Sequence, residues 1–267
     1  MIIVKKFSIY SSFTKDNKEK REELKKELKA HGFKPNRDGE LLIVIGGDGT
    51  FLSAIRKRYE ENPVFVGFNT GNLGFLSEFT LDKCDQFISM LKKGEYRIDE
   101  LPLYEIRYKE DGIEKTEYFF NELSIERKST RALHMVVQKN GKKLCHVDGD
   151  GVIISSSTGS TGYNLSAGGP IVTKKDRIIV TPNNPLPVSE AYQSIQDSIL
   201  LRNDCELTVF PSYKKQRPLR LVCDSREIRL EENVKYVTIR KAPYPIRFLR
   251  TKNFNDLANI RHKFLDE

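Results

Sequence analysis

The sequence predicts a chain of two parts, an α/β domain followed by an all-β domain. Over the first hundred residues, short β-rich runs alternate with helical patterns, as in Leu41 to Ile45, the helix from Thr50, and Val64 to Phe68. This alternation is typical of a parallel sheet covered by helices. After Gly94, closely spaced strand patterns follow one another. The predicted fold class is therefore a Rossmann-like α/β domain with a C-terminal β-sandwich-like domain.

Each element is predicted from the spacing of its apolar residues. In the first part we expect a strand at Ile2 to Tyr10, a helix to about His31, a strand at Leu41 to Ile45, a helix from Thr50, a strand at Val64 to Phe68 and a helix near Leu81 to Leu91. In the second part we expect strands at Leu103 to Lys109, Glu117 to Phe120, Met135 to Lys139, Val152 to Ser155, Ile178 to Val180, Leu207 to Phe210, Leu219 to Cys223 and Tyr236 to Arg240.

The domain boundaries follow from this change from alternating strand and helix patterns to consecutive strand patterns. We expect an α/β domain over residues 1–100 and a β-rich domain over residues 101–245. The segment from Asn253 to Phe264 has apolar residues at helical spacing, so we expect residues 246–267 to return to the first domain.

Composition limits the class of protein. The chain has 267 residues, of which 38% are hydrophobic, enough for two domains with their own cores. No run approaches the roughly 18 apolar residues of a membrane-spanning helix, and the first ten residues do not form a secretory signal. The four cysteines form no C-x-x-C pair, which favours reduced thiols in the cytoplasm. The net charge of +8, without basic clusters interleaved with aromatics, favours anionic ligands over nucleic acid.

The strongest local signal is the glycine-rich run Gly46 to Thr50, Gly-Gly-Asp-Gly-Thr, between a strand pattern and a helix pattern. Glycines let the backbone approach a phosphate closely, and N–H groups at a helix start point toward it. Asp48 would repel phosphate, so its presence here indicates a role in a reaction. The alternative is a tight turn in which Asp48 caps the helix. The P-loop motif is absent, and G-x-G-x-x-G fails at Leu52, which disfavours usual P-loop enzymes and ordinary NAD dehydrogenases.

A second dense segment runs from Asp148 to Pro170. Its hydroxyls and glycines follow a buried strand pattern and offer many hydrogen bonds to a polar ligand. A calcium loop would need glutamate at its twelfth position, where Gly159 stands, and the hydrolase motif G-x-S-x-G is missing. The alternative interpretation is a flexible loop rich in serine and glycine.

Two shorter segments also carry polar groups. Asn69 to Phe75 follows the third predicted strand, at the carboxyl edge of the sheet where α/β proteins usually bind ligands. Asn121 and Glu122 follow an aromatic strand pattern and could hold ribose hydroxyls or an adenine edge; the alternative is an ordinary strand end.

In their order and spacing these four segments resemble the NAD kinase family over nearly the whole chain. The Gly-Gly-Asp-Gly-Thr run is shared with lipid kinases and, in related form, with phosphofructokinases, whereas Gly159 to Pro170 is highly specific. The resemblance implies a phosphotransferase that moves a phosphoryl group from ATP, or from polyphosphate, to the 2′-hydroxyl of the adenosine ribose of NAD, giving NADP.

The resemblance also implies roles for individual residues. Asp48 would be the general base that takes the proton of the 2′-hydroxyl, and Mg²⁺ or another divalent cation would accompany ATP, without a predicted side-chain ligand. The donor phosphates would be held by Gly46, Gly47, Gly49 and Thr50. The residues expected to bind NAD are Asp48, Gly49, Phe75, Asn121, Glu122, Asp148, Asp150, Thr158, Thr161, Gly162, Tyr163, Asn164 and Ser166.

Partners and alternatives complete the prediction. The resemblance implies a cytoplasmic homo-oligomer, a dimer or tetramer, without a nucleic-acid or membrane partner. Family members often have alanine where Gly162 stands, a small change that we expect to be tolerated. Two other functions stay open: a lipid kinase with the same glycine run, which would need an apolar acyl pocket, and a sensor that binds NAD or NADP without turnover.

Overall fold

The computed structural model describes residues 4–12, 14–71, 74–110, 112–212, 217–230 and 234–264, without the side chains of His262 and Lys263. The chain divides into two compact units, residues 1–101 with 245–267, and residues 102–244. The helices are α1 (Lys15–Ala30), α2 (Asp48–Arg58), α3 (Cys84–Lys93), α4 (Tyr163–Ser166) and α5 (Asp256–Phe264), with 3₁₀ turns at Tyr59–Glu61, Leu81–Lys83 and Thr158–Thr161. Within the described ranges no helix is long and apolar enough to cross a membrane.

The first unit is built on a mainly parallel sheet. Its strands are β1 (Lys6–Ser11), β2 (Lys34–Pro35), β3 (Leu41–Ile45), β4 (Val64–Asn69), β5 (Phe79–Thr80), β6 (Tyr96–Leu101) and β18 (Ile246–Thr251). They lie in the order β2-β1-β3-β4-β18-β6, with β5 beside β4, and only β6 runs antiparallel to its neighbour. The carboxyl ends of β1, β3 and β4 therefore share one edge of the sheet.

The helices of this unit cover both faces of the sheet. All five residues of β3 are buried, as expected for a central parallel strand with both faces covered. Leu24 and Leu28, one turn apart on α1, pack in the same core as Phe87 of α3. On α2, Phe51 stacks on Phe248 with ring centroids 5.1 Å apart. The strand with the glycine run at its end is thus packed on both faces.

The second unit is a large, mostly antiparallel sheet. Its strands are β7 (Tyr104–Glu110), β8 (Ile113–Phe119), β9 (Glu122–Arg127), β10 (Leu133–Lys139), β11 (Lys142–Ser156), β12 (Arg177–Pro185), β13 (Ile199–Arg202), β14 (Leu207–Pro211), β15 (Leu219–Cys223), β16 (Arg226–Ile228) and β17 (Val237–Lys241). They follow the order β16-β15-β9-β11-β10-β14-β17-β7-β8, and β12 and β13 branch from β11. The long strand β11 pairs with β10, β9 and β12, so the residues at its end have neighbours on two sides.

The predicted fold class is confirmed, an α/β part together with a mostly-β part. The described strands of the second part belong to one branched sheet, which curls around a core that includes Tyr104, Ile154 and Val209. Prediction missed β6, β9 and β18, whose charged residues interrupt the apolar pattern. It also missed the short strands β2, β5, β13 and β16, of two to four residues each. Ile2 and Ile3 of the first predicted strand lie outside the described residues, and the strand is found at Lys6–Ser11.

Candidate active site

The glycine run forms the predicted turn between β3 and α2. Gly46 has a φ of +146°, a conformation that favours glycine, and its N–H donates to the carbonyl of Phe68 on β4 at 2.9 Å. A Cβ at Gly46 would come within 2.6 Å of the Thr50 hydroxyl, so only glycine fits. Gly47 precedes the first turn of α2, and both Gly47 and Gly49 are exposed. The first N–H groups of a helix have no intrahelical partner and favour negative charge, so this turn offers an anion site.

Asp48 is tied to the segment that follows β4. One carboxylate oxygen, Oδ2, accepts the N–H of Phe75 at 2.9 Å, and Oδ1 accepts the N–H of Leu76 at 3.1 Å. A Cβ on Gly74 would collide with this carboxylate, so glycine at that position permits the contact. Gly47, rather than Asp48, occupies the N-cap of α2, so the alternative that Asp48 is the helix cap does not hold.

The carboxylate of Asp48 keeps capacity for a ligand. Its side chain is half-buried, and two carboxylate oxygens can accept about four hydrogen bonds, of which the two backbone amides use two. Phe75 is half-buried as well, with its ring 5.9 Å from that of Phe264 on α5. Asn72 and Leu73 of the predicted Asn69 to Phe75 segment lie outside the described residues. The first unit therefore brings Asp48, Phe75 and the glycine run together.

In the second unit, Asp224 binds the backbone that carries Asn121 and Glu122. Its carboxylate accepts the N–H groups of Phe120 and Asn121, both at 2.8 Å, and of Glu122 at 3.2 Å. Asp224 and Ser225 have φ values of 47° and 64° in the turn between β15 and β16. Sequence reasoning missed Asp224. The available signal was two consecutive residues suited to a tight turn, directly after the apolar run Leu219 to Cys223.

Glu122 and Asn121 each present an unpartnered acceptor. Glu122 is 7% exposed, and neither its Oε2 nor the buried Oδ1 of Asn121 has a hydrogen-bond partner within the described residues. Burial raises the pKa of Glu122 to about 8, and the charge of Asp224 adds to the rise. Glu122 is therefore mostly protonated at neutral pH and able to donate a hydrogen bond. Unsatisfied buried polar atoms are costly, so a polar ligand is a ready explanation for this pair.

The serine- and glycine-rich segment is ordered and packs on the same strand junction. The Ser156 hydroxyl donates to the Phe120 carbonyl at 2.7 Å and accepts the N–H of Gly159 at 3.0 Å. A Cβ on Gly159 would collide with the Asn121 carbonyl, and one on Gly162 would lie 3.1 Å from Oε2 of Glu122. The structure thus brings Asn121, Glu122 and Gly162 together, and the flexible-loop alternative does not hold.

Three positions of β12, a strand for which the sequence indicated no role, hold predicted site residues. Thr181 donates to Oδ1 of Asn164 at 2.7 Å, and Asn183 donates to the hydroxyl of Tyr163 at 2.9 Å. Asn184 donates to Oδ2 of Asp150 at 3.1 Å. Strand β12 therefore binds Tyr163 and Asn164, in the segment after β11, and Asp150 on β11 itself.

The remaining predicted residues differ in exposure. Asn164 is fully buried, and its amide also donates to the carbonyls of Ser160 and Pro170, so its hydrogen bonds lie inside the protein. Tyr163 and Ser166 are exposed. Thr158 and Thr161 are half-buried.

The two aspartates of β11 also differ. Asp148 is 7% exposed, and its carboxylate contacts Nδ1 of His134 at 2.8 Å and the N–H of Gln193 at 3.3 Å. Asp150 is less buried and pairs with Arg127 at 2.6 Å. Asp150 therefore has the side chain that a ligand reaches more easily.

The described residues contain no group of three histidine, cysteine or acidic side chains that could hold a metal ion. Magnesium is commonly bound through one or two carboxylates together with substrate phosphates and water. A half-buried carboxylate beside the glycine turn, as at Asp48, fits an ion of that kind that arrives with a nucleotide.

Comparison with known proteins finds sequence matches in both units. The sequence matches the ATP-NAD kinase N-terminal domain family over residues 4–96 and the ATP-NAD kinase C-terminal domain family over residues 120–251. An NAD kinase of Finegoldia magna is 33% identical over 91% of this chain and 91% of its own length. An NAD kinase of Buchnera aphidicola subsp. Schizaphis graminum is 31% identical over 95% of this chain and 86% of that protein.

Solved structures share the fold. A yeast NADH kinase, crystallised with NADH, superposes with a TM-score of 0.84 over 98% of this chain and 87% of its own, at 18% identity. An NAD kinase from Archaeoglobus fulgidus, in complex with ATP, superposes with a TM-score of 0.75 over 97% and 98% of the two chains, also at 18% identity. From the sequence matches, this chain belongs to the NAD kinase family, whose members are phosphotransferases that act on an alcohol group.

Proposed function

We propose that the chain transfers the γ-phosphoryl group of ATP to the 2′-hydroxyl of the adenosine ribose of NAD, with Asp48 as general base. The observation that carries the proposal is the position of this carboxylate, within the glycine run at the first turn of α2 and oriented by two backbone amides. A base held in this way can accept the hydroxyl proton as the oxygen attacks phosphorus. Such catalysis contributes about 10²- to 10⁴-fold in rate.

The donor phosphates are assigned to Gly46, Gly47, Gly49 and Thr50. The helix start supplies amide donors, the exposed glycines let the phosphates approach, and the Thr50 hydroxyl can donate a further hydrogen bond. Phosphotransferases of this kind typically need a divalent cation. Mg²⁺ bound to ATP would neutralise charge on the transferred group, and Asp48 is the residue of this turn able to contact it.

NAD is assigned chiefly to the second unit. Protonated Glu122 and the amide of Asn121 supply a donor and an acceptor for ribose hydroxyls or the adenine edge. Oε2 of Glu122 and Oδ1 of Asn121 have no hydrogen-bond partner among the described residues. Tyr163 has an exposed ring on which a base can stack. The same segment contains the other expected contacts Thr158, Thr161, Gly162 and Ser166. Asp48, Gly49 and Phe75 are the expected contacts from the first unit.

Three of the predicted NAD contacts are given more specific roles. Asp150 is proposed as a direct contact, because its carboxylate is partly exposed. Asp148 and Asn164 are proposed to act through the segments they hold, because both are buried within internal hydrogen bonds.

Assembly and compartment belong to the same proposal. The chain is proposed to work as a homo-oligomer, a dimer or tetramer, which light scattering of the purified protein would measure. A cytoplasmic location is supported by the four cysteines, all of which are free thiols.

The test is an assay of the purified protein with NAD, ATP and Mg²⁺, in which NADP is measured with an NADP-specific dehydrogenase. We expect NADP to form, and parallel reactions with polyphosphate and with NADH define the donor and acceptor. A diacylglycerol reaction serves as the lipid-kinase control. Binding of NAD without any NADP would favour the sensor, and phosphorylation of the lipid instead of NAD would favour the lipid kinase; either result would overturn the proposal.

A further inference from the structure

A basic cleft lies in the first unit at the open edge of β1, away from the glycine run. It encloses about 370 Å³, within the usual range for small-ligand pockets. Its lining residues come from β1, α1, the end of β2 with the turn after it, and the end of α2; they are Phe7, Ser8, Ile9, Arg21, Lys25, Pro35, Asn36, Arg37 and Arg58. Because β2 pairs only with Lys6 and Phe7, the rest of this edge of β1 is left to form the cleft wall.

The charges of the cleft are strongly unbalanced. Four cationic side chains come from three separate elements, and none of the described lining residues is acidic. Lys25 contacts Glu22 at 3.5 Å, and Arg58 pairs with Glu61. Across the described ranges, Arg21 and Arg37 form no ion pair. Two of the arginines that line the cleft are therefore without an ion-pair partner in the described part of the chain.

Polar groups of the cleft can complete an anion site. The buried hydroxyl of Ser8 has no hydrogen-bond partner within the described part of the chain. The side-chain oxygen of Asn36 accepts the N–H of Asp38, which orients the amide. Guanidinium groups match phosphate oxygens with paired, charge-assisted hydrogen bonds.

The cleft is distinct from the proposed catalytic turn. Arg58 is the last residue of α2, and the glycine run, Gly46 to Thr50, contains the start of the same helix. The helix has 11 residues, so at 1.5 Å per residue its ends lie roughly 15 Å apart. A phosphate at one end of α2 therefore does not occupy the other.

We propose that this cleft, lined by Arg21, Lys25, Arg37 and Arg58, is a second binding site for a compact anion that carries two or more linked phosphates. Several convergent cations favour a multiply charged ligand over a single carboxylate, and the site would take either a free phosphate chain or the phosphate chain of a nucleotide.

The test is isothermal titration with tripolyphosphate at low ionic strength. The double variant Arg21→Gln, Arg37→Gln removes the two unpaired charges, and both side chains are exposed, so the fold is expected to persist. The matched control is Arg131→Gln, Arg202→Gln, two exposed arginines of the second unit. We expect the test variant to bind tripolyphosphate about tenfold or more weakly and the control to match the wild type.

Three results would overturn the site: no binding by the wild type, equal weakening in both double variants, or unchanged binding in the test variant, which would place the anion at the glycine run alone. A second titration with GTP separates the sources. If binding of GTP depends on Arg21 and Arg37 as binding of tripolyphosphate does, and GTP binds more tightly, the ligand of the site is a nucleotide. If the two bind with equal affinity, the ligand is the phosphate chain alone. Turnover without added anion should be the same in all three proteins, because none of the four arginines is assigned to the reaction.

Discussion

Both units place an aspartate against consecutive backbone amides, yet they use it differently. In the first unit, Asp48 accepts two N–H groups, from Phe75 and Leu76, and its carboxylate is itself the proposed reacting group. In the second unit, Asp224 accepts three N–H groups and thereby fixes Asn121 and Glu122, which carry the unpartnered atoms. In the proposed mechanism, one aspartate is held by the backbone for chemistry, and the other holds the backbone for binding.

The contrast predicts that displacing Asp48 reduces turnover more than any change in the second unit. Gly74→Ala would place a methyl group against the carboxylate. We expect kcat to fall by about 10²-fold, the scale of a misplaced catalytic group, with little change in the KM for NAD. Gly71→Ala is the matched control, because a Cβ there meets nothing within 4 Å. Equal kinetics for the two variants would contradict the assigned geometry.

Asp224→Asn tests the binding side of the comparison. The amide that replaces the carboxylate leaves the N–H groups of residues 120–122 without their charged acceptor, so the segment with Asn121 and Glu122 should move. We expect the KM for NAD to rise about tenfold, roughly the value of one charge-assisted hydrogen bond, with a smaller fall in kcat. Asp204→Asn, at an exposed turn, is the control. A fall in kcat alone would make Asp224 part of the chemistry instead.

Stability should depend on pH through Glu122. Its pKa rises from an ordinary value of 4.5 to about 8 in the folded protein, so the folded state binds the proton more tightly than the unfolded chain. The stabilisation of the folded state that comes from this proton is fully present below pH 4.5 and is lost as the pH rises toward 8. In urea unfolding of the free protein between pH 6 and 8, Glu122→Gln should flatten the loss seen in the wild type. A parallel decline in both proteins would show that Glu122 is not protonated in the fold.

The smallest expected effect is that of Gly162→Ala. Its Cβ would lie 3.1 Å from Oε2 of Glu122, a contact that a shift of a few tenths of an ångström relieves. We expect a loss of less than about 1 kcal/mol in unfolding free energy. Gly159→Ala, whose Cβ meets the Asn121 backbone, should cost about 2–3 kcal/mol or more. Similar losses in the two variants would mean that the backbone near Asn121 adapts as easily as the side chain.

Local features of the site could be predicted from the sequence, whereas contacts between distant residues could not. The turn at Gly46 to Thr50 was predictable because strand, glycines and helix are contiguous and their geometry is local. The partners of Asp48 were not, because Phe75 and Leu76 lie 27 and 28 residues away and reach it only through the pairing of β3 with β4.

Prediction was weakest where long-range pairing decides a residue's environment. Asn164 reads as a polar ligand contact in the sequence, but Thr181 and two carbonyls enclose its side chain. Asp224 lies more than 100 residues from the amides it binds. The strands β6 and β18 form because they pair with each other, despite charged residues that weaken their own apolar patterns.

The central claim is that Asp48 acts in the chemical step, and single-turnover kinetics of Asp48→Asn measure this most directly. Asparagine keeps the shape of the side chain but cannot take the proton. With saturating NAD, ATP and Mg²⁺, we predict that NADP forms at least about 10²-fold more slowly than in the wild type, while the Kd for NAD changes little. A single-turnover rate equal to that of the wild type would contradict the account.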